Sequence, residues 1–332
     1  MAQTIIDVEL SELEGVGPAT REKLQEAGVE SVLDLAAALP GELVERAGFT
    51  TEKANAMIFV AQRKLRESGL IDKELIPASE ELERRAKMVR CTTGSKNLDA
   101  LLEGGIETRA ITEFYGEFGS GKSQICHTLS VTAQQAKESR GLGGAVLYID
   151  TEGTFRPERV KQIAEGRGLD SNEVLSNVIL CKVYNASHLE LMVQTLGKYI
   201  EKFGTKLVVL DSIISLHRAE FSGRGTLAER QQKLNTLVHR LLRVAEIYNV
   251  AVVVTNQVQT QPDSFFGDPT RPAGGNVIGH ACTYRIYLRK AGGDRVALMV
   301  DSPYHAYADT RFQITSKGVE DAEPKKAAAP RA

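Results

Sequence analysis

The sequence predicts an α/β fold in which a mostly parallel sheet lies between helices, with a small all-helical unit before it. From Ala110 to about Thr255, short apolar segments alternate with longer amphipathic segments, as expected of strands joined by helices. The strand candidates are continuously apolar, as in the run from Leu207 to Leu210. Such runs are typical of strands buried on both faces of a parallel sheet.

The predicted strands of this region cover residues 111–115, 145–150, 178–183, 207–211 and 250–255, and the predicted helices cover 124–137, 157–166, 187–203 and 226–248. After Ile278 the pattern changes to consecutive strands at 283–289, 295–300 and 310–314. We expect these strands to complete the sheet as an antiparallel meander.

The chain of 332 residues is long enough for one large and one small domain. We predict a helical domain at 1–65, a linker with a charged helix at 66–90, the α/β core at 91–318, and a disordered, low-complexity tail at 319–332.

The composition limits the classes of function. A net charge of −2 offers no overall basic field, so a nucleic-acid site has to be local. The four cysteines are far apart in the sequence, which argues against a zinc site and a disulfide framework. No basic and apolar leader and no long apolar run is evident, so we expect a reducing, cytoplasmic setting without membrane contact.

The strongest motif is the run Gly116-Glu117-Phe118-Gly119-Ser120-Gly121-Lys122-Ser123, which fits the phosphate-binding P-loop. Its glycines allow successive backbone N–H groups to converge on an anion. Lys122 would supply a positive charge to the β- and γ-phosphates, and Ser123 a hydroxyl ligand for Mg²⁺. A strand precedes this run and a helix follows it, so we predict that the chain binds a nucleoside triphosphate. A glycine-rich turn without a ligand is the alternative.

Carboxylates end two of the predicted strands. Asp211 follows an apolar strand, as a Walker B aspartate does, and would hold Mg²⁺ through water opposite Ser123. Glu152 follows the strand that ends at Asp150, at the same sheet edge as the P-loop. We predict that Glu152 orients or deprotonates the attacking water, whereas Asp150 or Thr151 could cap the following segment.

Two loops follow strands that would sense the nucleotide. Gln257 is a candidate sensor of the γ-phosphate, and it begins an irregular stretch to Ile278. Arginines, glycines and aromatic residues of the kind that bind single-stranded nucleic acid occur in these loops: Arg218, Arg224 and Gly225 in the shorter one, Phe265, Phe266 and Arg271 in the longer one. A flexible lid over another substrate is the alternative for these residues.

The N-terminal unit contains a turn with Gly15 and Gly17 that resembles a helix–hairpin–helix, in which backbone N–H groups contact a DNA phosphate. A weaker second copy runs from Ala47 into the helix at 51–65. Residues 1–65 carry six basic and eleven acidic residues, which weakens the DNA interpretation because phosphate affinity depends on cations. A helical bundle for protein contacts is the alternative.

Taken together, these motifs resemble the RecA-type recombinases, specifically the archaeal RadA branch and its eukaryotic relatives. The resemblance covers nearly all of residues 7–320 and includes the P-loop, the run from Asp150 to Arg159, the Gly223-Arg224-Gly225 turn, and the run from Phe265 to Pro272. It implies an ATPase with a RecA-like core that uses ATP and Mg²⁺, assembles on single-stranded DNA, and pairs it with double-stranded DNA in strand exchange.

The resemblance also implies roles for individual residues. Arg159 would pack on the adenine, and Gln257 and His280 would relay the state of the γ-phosphate to the second DNA-binding loop. Leu75 and Ala78 would add a strand to the neighbouring protomer and so build a helical filament or a ring. Asp301 and Pro303 would cover the neighbour's nucleotide. Loader or mediator proteins are further expected partners.

This chain departs from the family pattern at three places. Leu75 stands where relatives usually have phenylalanine, Ser123 stands where threonine is commoner, and Tyr304 to Tyr307 lack a further proline that relatives often have after the Asp-Ser-Pro run. Two other interpretations stay open at this point: a non-catalytic recombinase paralogue that regulates filaments, and a motor of the hexameric helicase or clock-ATPase class.

Overall fold

A computed structural model describes residues 9–221, 223, 225–260 and 270–323. The N-terminal part contains the helices α1 Pro18–Glu26, α2 Val32–Ala37, α3 Pro40–Ala47 and α4 Thr51–Glu67. The linker leads into α5 Ala78–Ala86. The strands that follow, in chain order, are β1 Arg90–Cys91, β2 Ile106–Glu107, β3 Ile111–Gly116, β4 Ala145–Asp150, β5 Val178–Lys182, β6 Thr205–Asp211, β7 Ala251–Asn256, β8 Val258–Thr260, β9 Thr270–Pro272, β10 Tyr284–Ala291, β11 Asp294–Asp301, β12 Asp309–Thr315 and β13 Gly318–Asp321.

The helices of the α/β part lie between these strands. They are α6 Lys96–Leu101, α7 Lys122–Thr132, α8 Pro157–Gly166, α9 Ser171–Ser176, α10 Ala186–Gln194, α11 Leu196–Phe203, α12 Ser215–Glu220, α13 Leu227–Tyr248 and α14 Gly275–Ala281. None of the helices in the described ranges is both long and apolar enough to cross a membrane.

Within the described residues, nine strands form one sheet in the order β13-β12-β11-β10-β3-β7-β6-β4-β5. The strands from β10 through β3, β7, β6 and β4 to β5 pair in parallel, and β11, β12 and β13 pair antiparallel. The predicted mostly parallel sheet with an antiparallel extension is confirmed.

The parallel strands are buried on both faces. In β6, Leu207 and Val209 pack into the core beneath α7, whereas Val208 and Leu210 pack into the opposite core beneath α13. Successive side chains of these strands point to opposite faces of the sheet, and each face packs against an apolar core. The strands are therefore continuously apolar.

The structure corrects four details of the predicted elements. The predicted helix at 187–203 is two helices that meet at Thr195, whose hydroxyl donates to the Leu191 carbonyl at 2.9 Å and competes with the helical hydrogen bonds. The stretch from Gln257 to Ile278 contains the β8–β9 pair and the first residues of α14. The predicted helix at 124–137 ends at Thr132. Strand β13 runs past the predicted core boundary at 318 because it pairs with β12.

Buried polar contacts join the N-terminal helices to the core. The Tyr248 hydroxyl at the end of α13 donates to Asp34 Oδ1 at 2.8 Å, and both side chains are buried. Burial raises the pKa of Tyr248 well above its ordinary value, so the hydroxyl keeps its proton. Arg243 donates to the Ala38 carbonyl at 2.7 Å. These bonds hold α2 against α13.

Replacing Tyr248 by phenylalanine removes the donor to Asp34 and leaves a buried carboxylate oxygen short of a partner. We expect the free energy of unfolding to fall by about 1–3 kcal/mol, measured by chemical denaturation followed by circular dichroism. As a control, Tyr184→Phe at an exposed tyrosine should change it by less than about 0.5 kcal/mol. Equal stability of Tyr248→Phe and the unchanged protein would contradict this role of the hydroxyl.

Candidate functional site

The P-loop connects the end of β3 to the start of α7. Gly119 and Gly121 have φ angles of +74° and +110°, which favour glycine, and a Cβ at Gly116 would collide with the Leu288 carbonyl of β10. The hydroxyl of Ser120 is buried and has no hydrogen-bond partner. A glycine-built concavity with an orphaned donor fits an anionic ligand such as a triphosphate.

Lys122 lies across this loop. Its Nζ donates to the carbonyls of Gly116 at 2.8 Å and of Glu117 at 3.0 Å. Burial lowers the pKa of Lys122, while the negative charges of Asp211 and Glu152 oppose that shift. Phe118, by contrast, is 96% exposed at the tip of the loop. A phosphate would offer Lys122 stronger, charge-assisted hydrogen bonds than the carbonyls do.

Asp211 is buried at the end of β6, beside the P-loop helix. One of its oxygens accepts a hydrogen bond from Tyr148 at 2.8 Å, and the other accepts one from Thr255. The described residues contain no group of three or more acidic, histidine or cysteine side chains that could hold a metal ion alone. The residues fit Mg²⁺ that is held by Asp211, Ser123, water and phosphate oxygens together.

Glu152 has two partners at the carboxyl edge of the sheet. Its Oε1 accepts hydrogen bonds of 2.8 Å from the Ser212 hydroxyl and from the Gln257 amide. The neighbouring Asp150 instead accepts the backbone N–H groups of residues 152, 154 and 155 and so shapes the loop. Of these two carboxylates, Glu152 is therefore the one that is exposed, and two hydrogen bonds hold it in place.

Gln257 links this carboxylate to Arg218, which was predicted in a loop but lies in helix α12. While its amide nitrogen donates to Glu152, its amide oxygen accepts from Arg218 in α12 at 3.2 Å. The residues Glu152, Gln257 and Arg218 form one hydrogen-bonded chain, which we call the sensor chain. The sequence predicted a functional role for each of these residues separately, and hydrogen bonds in the folded chain connect them.

Sequence reasoning missed three residues that support the site. His127 is buried in α7 between Tyr148 and Phe155, where burial lowers its pKa to about 4, and its Nε2 accepts the Arg156 N–H at 3.2 Å. The neutral ring thus ties the loop of Glu152 to α7. The available signal was a histidine among the buried residues of the P-loop helix, which are otherwise apolar or small hydroxyl residues.

Ser212 and Lys290 were missed as well. Ser212, which orients Glu152, could have been noticed because it directly follows Asp211. The Lys290 ammonium in β10 approaches Gly119 so closely that a Cβ there would lie 2.8 Å from it. No local pattern around Lys290 indicated this proximity, which arises from the pairing of β10 with β3.

Arg159 lies at the junction of α7, α8 and β12. It donates to the Gln124 side chain at 2.7 Å and to the Thr315 carbonyl at 2.6 Å. Burial lowers its pKa. His280 is exposed on α14 and borders a cavity of about 310 Å³ that His239 and Asn235 also line.

Asp301 does not lie at the P-loop of its own chain. Gly116 pairs with Leu288 of β10, and Leu288 pairs with Ala297 of β11. From there β11 runs away to Asp301, which lies opposite Arg285 near the other end of β10. Pro303 follows in the exposed loop beyond it. Asp301 and the loop that follows it therefore lie away from the P-loop of their own chain.

Only some of the predicted DNA-binding residues lie within the described residues. Gly225 is exposed after α12, and Gly15 and Gly17 lie in the turn before α1 with open space around them. Gly15 has a φ of +84°, which requires glycine, whereas Gly17 caps α1 at an ordinary φ of −81°. Arg224, Phe265 and Phe266 lie outside the described residues, as does the side chain of Arg271, whose backbone belongs to β9.

The predicted assembly residues lie just before α5 and at its start. Leu75 is 90% exposed, and Pro77 is extended with φ −61° and ψ 144°. Ala78 opens α5 and does not continue the extended segment.

Comparison with known proteins gives a consistent result. The model of the Rad51 family matches residues 84–322, and the model of the SAM-like helix-hairpin-helix tandem matches residues 7–63. The chain is 51% identical over 320 residues to the DNA repair and recombination protein RadA of Cenarchaeum symbiosum (strain A), and this match covers 96% of the chain and 80% of that relative. The predicted resemblance is confirmed, and the chain belongs to the Rad51 family of RecA-type recombinases.

Proposed function

We propose that this protein is an ATP-dependent DNA recombinase that forms filaments on single-stranded DNA and catalyses homologous pairing and strand exchange in DNA repair. The observation that carries the proposal is the sensor chain, which connects the hydrolytic carboxylate Glu152 to Arg218 in a predicted DNA-binding loop. Such a connection lets nucleotide and DNA influence each other's binding. Membership of the Rad51 family supports the same activity.

The P-loop would hold ATP through the backbone N–H groups of residues 116–123 and through Lys122. Mg²⁺, bound near Ser123 and Asp211, would neutralise charge on the β- and γ-phosphates. Tyr148 and Thr255 each donate a hydrogen bond to the Asp211 carboxylate, and these two bonds fix its orientation. Arg159 lies at the junction where we propose that the adenine packs.

Glu152 would accept a proton from the attacking water and direct that water at the γ-phosphate. Ser212 and Gln257 hold the carboxylate in one orientation before the reaction. Lys122 would stabilise the charge that develops on the transferred group. When the γ-phosphate leaves, the contacts of Gln257 change, and through Arg218 the first loop loses its hold on DNA.

The DNA strand would bind along α12, the loop after it and the loop after β8. Arg218 and Arg224 would contact phosphates, with Gly225 allowing close approach of the backbone. Phe265, Phe266 and Arg271 in the second loop would contact the bases and the strand. The N-terminal turn with Gly15 and Gly17 would contribute backbone N–H groups to a phosphate.

Assembly would proceed through the exposed segment at Leu75 and Ala78. Strand β5 is an edge of the sheet, and its Ile179 and Cys181 are partly buried against the core. We propose that the segment of one protomer pairs with this edge of the next. Asp301 and Pro303 would then cover the neighbour's nucleotide, with His280 as a further contact, so that ATP lies between protomers.

Replacing Lys122 by alanine should abolish ATP binding and strand exchange, because the phosphates lose their main cation. Binding is measured with a fluorescent ATP analogue, and strand exchange by the formation of joint molecules. The control Lys87→Gln, at an exposed lysine of the linker region, should retain both. Joint molecules formed by the Lys122→Ala protein at the normal rate would overturn the proposed function.

Replacing Glu152 by glutamine should lower the rate of DNA-dependent ATP hydrolysis by about 10²–10⁴-fold, because glutamine cannot take the proton of the water. ATP binding should persist, since the P-loop is unchanged. Phosphate release measures the rate, and the exposed Glu158→Gln on α8 serves as the control. A normal rate in the Glu152→Gln protein would assign the base elsewhere.

Replacing Ala78 by glutamate should prevent filaments, because the proposed seat at the neighbour's sheet edge would have to bury a charge. Electron microscopy with ATP and single-stranded DNA tests this. The exposed Glu83→Gln on α5 is the control and should assemble normally. Ordinary filaments of the Ala78→Glu protein would show that this segment is not the anchor.

A further inference from the structure

The loop between β11 and β12, residues 302–308, is organised around one serine. The hydroxyl of Ser302 accepts the backbone N–H groups of Tyr304 at 3.3 Å and of His305 at 3.1 Å, and it lies 2.7 Å from His305 Nδ1. The rings of Tyr304 and His305 are 4.2 Å apart between centroids. The turn is therefore compact, and the rings of Tyr304 and His305 lie side by side.

These two rings pack on the start of β10. The Tyr284 ring meets the His305 ring edge-on at 5.4 Å and the Tyr304 ring edge-on at 6.3 Å. Tyr284 is itself buried, and burial raises its pKa above its ordinary value. The loop thus rests on a rigid strand on one side.

Helix α5 contacts the Tyr304 ring as well, through Arg85. The Arg85 guanidinium lies over the Tyr304 ring at 5.5 Å from its centroid. Arg85 also pairs with the buried carboxylate of Glu107 at 3.2 Å and donates to the Tyr284 hydroxyl at 3.5 Å. Burial by itself would lower the pKa of Arg85, but the Tyr284 hydroxyl and the charge of Glu107 raise it, so the side chain is always cationic.

These contacts join two segments that the proposed function uses in contacts between protomers. Helix α5 begins at Ala78, in the assembly segment, and the 302–308 loop follows Asp301, in the proposed nucleotide cover. We propose that Arg85 and Tyr304 are positioning residues that couple the two, so that seating α5 on a neighbour sets the loop over the other neighbour's nucleotide. This inference rests on the proposed function.

Tyr304 is 45% exposed, and apart from Arg85 its ring contacts Tyr284 and His305. The loop itself is held by Ser302 and by the hydrogen bond from the Met299 N–H to the Ala308 carbonyl. A cation over an aromatic ring adds a directional contact that also fixes α5. A loop ordered before binding loses less conformational freedom when it closes on a ligand. The linker would thereby increase the affinity of the assembled protein for ATP without touching it.

The test is the ATP concentration that gives half-maximal assembly, measured by light scattering with single-stranded DNA. For Tyr304→Leu and for Arg85→Gln we expect a rise of about three- to tenfold. Tyr304→Phe retains the ring and should stay within about twofold of the unchanged protein. Each substitution also removes contacts of its own, such as the ion pair of Arg85 with Glu107. The rise in the double variant should nevertheless be smaller than the product of the two single rises, because both changes remove the contact between Arg85 and the Tyr304 ring.

Two further measurements distinguish a loss of coupling between α5 and the 302–308 loop from a loss of stability or of ATP binding by the single protomer. Dilute, unassembled Tyr304→Leu should bind a fluorescent ATP analogue as the unchanged protein does and should have the same thermal midpoint of unfolding. Lys87→Gln, near Arg85 and exposed, should assemble normally. A normal ATP requirement of Tyr304→Leu, or additive effects in the double variant, would overturn the coupling. Assembly of Lys122→Ala at ordinary ATP concentrations would instead defeat the proposed nucleotide dependence itself.

Discussion

The parallel pairing of β3, β7, β6 and β4 is the constraint on which the rest of the structure depends. It aligns the carboxyl ends of these strands, so that Asp150 lies opposite Asp211 and Tyr115 opposite Asn256. The P-loop, Glu152 and Gln257 each follow one of these ends. Residues far apart in the chain therefore reach one edge of the sheet without any long excursion of the backbone.

Much of the polar structure at this edge serves to orient one exposed carboxylate. Asp150 and His127 hold the loop that carries Glu152, and Ser212 and Gln257 hold its side chain. An exposed glutamate has many rotamers, so this support reduces the conformational entropy that the side chain must lose before it can orient a water molecule. The same support extends through Gln257 to Arg218 in α12, which connects the proposed catalytic carboxylate to a residue that we propose contacts DNA.

The course of β10 and β11 divides the proposed nucleotide site between two molecules. Strand β10 brings Lys290 beside the P-loop, whereas β11 carries Asp301 away from it. Because the proposed cover lies away from its own P-loop, the proposed nucleotide site is complete only in an assembly. A head-to-tail contact between protomers either continues indefinitely as a helix or closes into a ring. The contact of Arg85 with Tyr304 joins helix α5 to the 302–308 loop, the two segments that we propose contact neighbouring protomers.

The sequence by itself determined the features that depend on neighbouring residues. The P-loop follows from glycines at positions of positive φ, and the buried strands follow from runs that must be apolar on both faces. The family and the residues Lys122, Asp211 and Glu152 were accordingly evident from local patterns. Only the tertiary structure decided the sensor chain, the proximity of Lys290 to the P-loop and the Arg85–Tyr304 contact, because each joins residues from separate elements. The break at Thr195 and the extension of the sheet by β13 were missed for a related reason: a side-chain hydrogen bond and a strand partner, not propensity, set those boundaries.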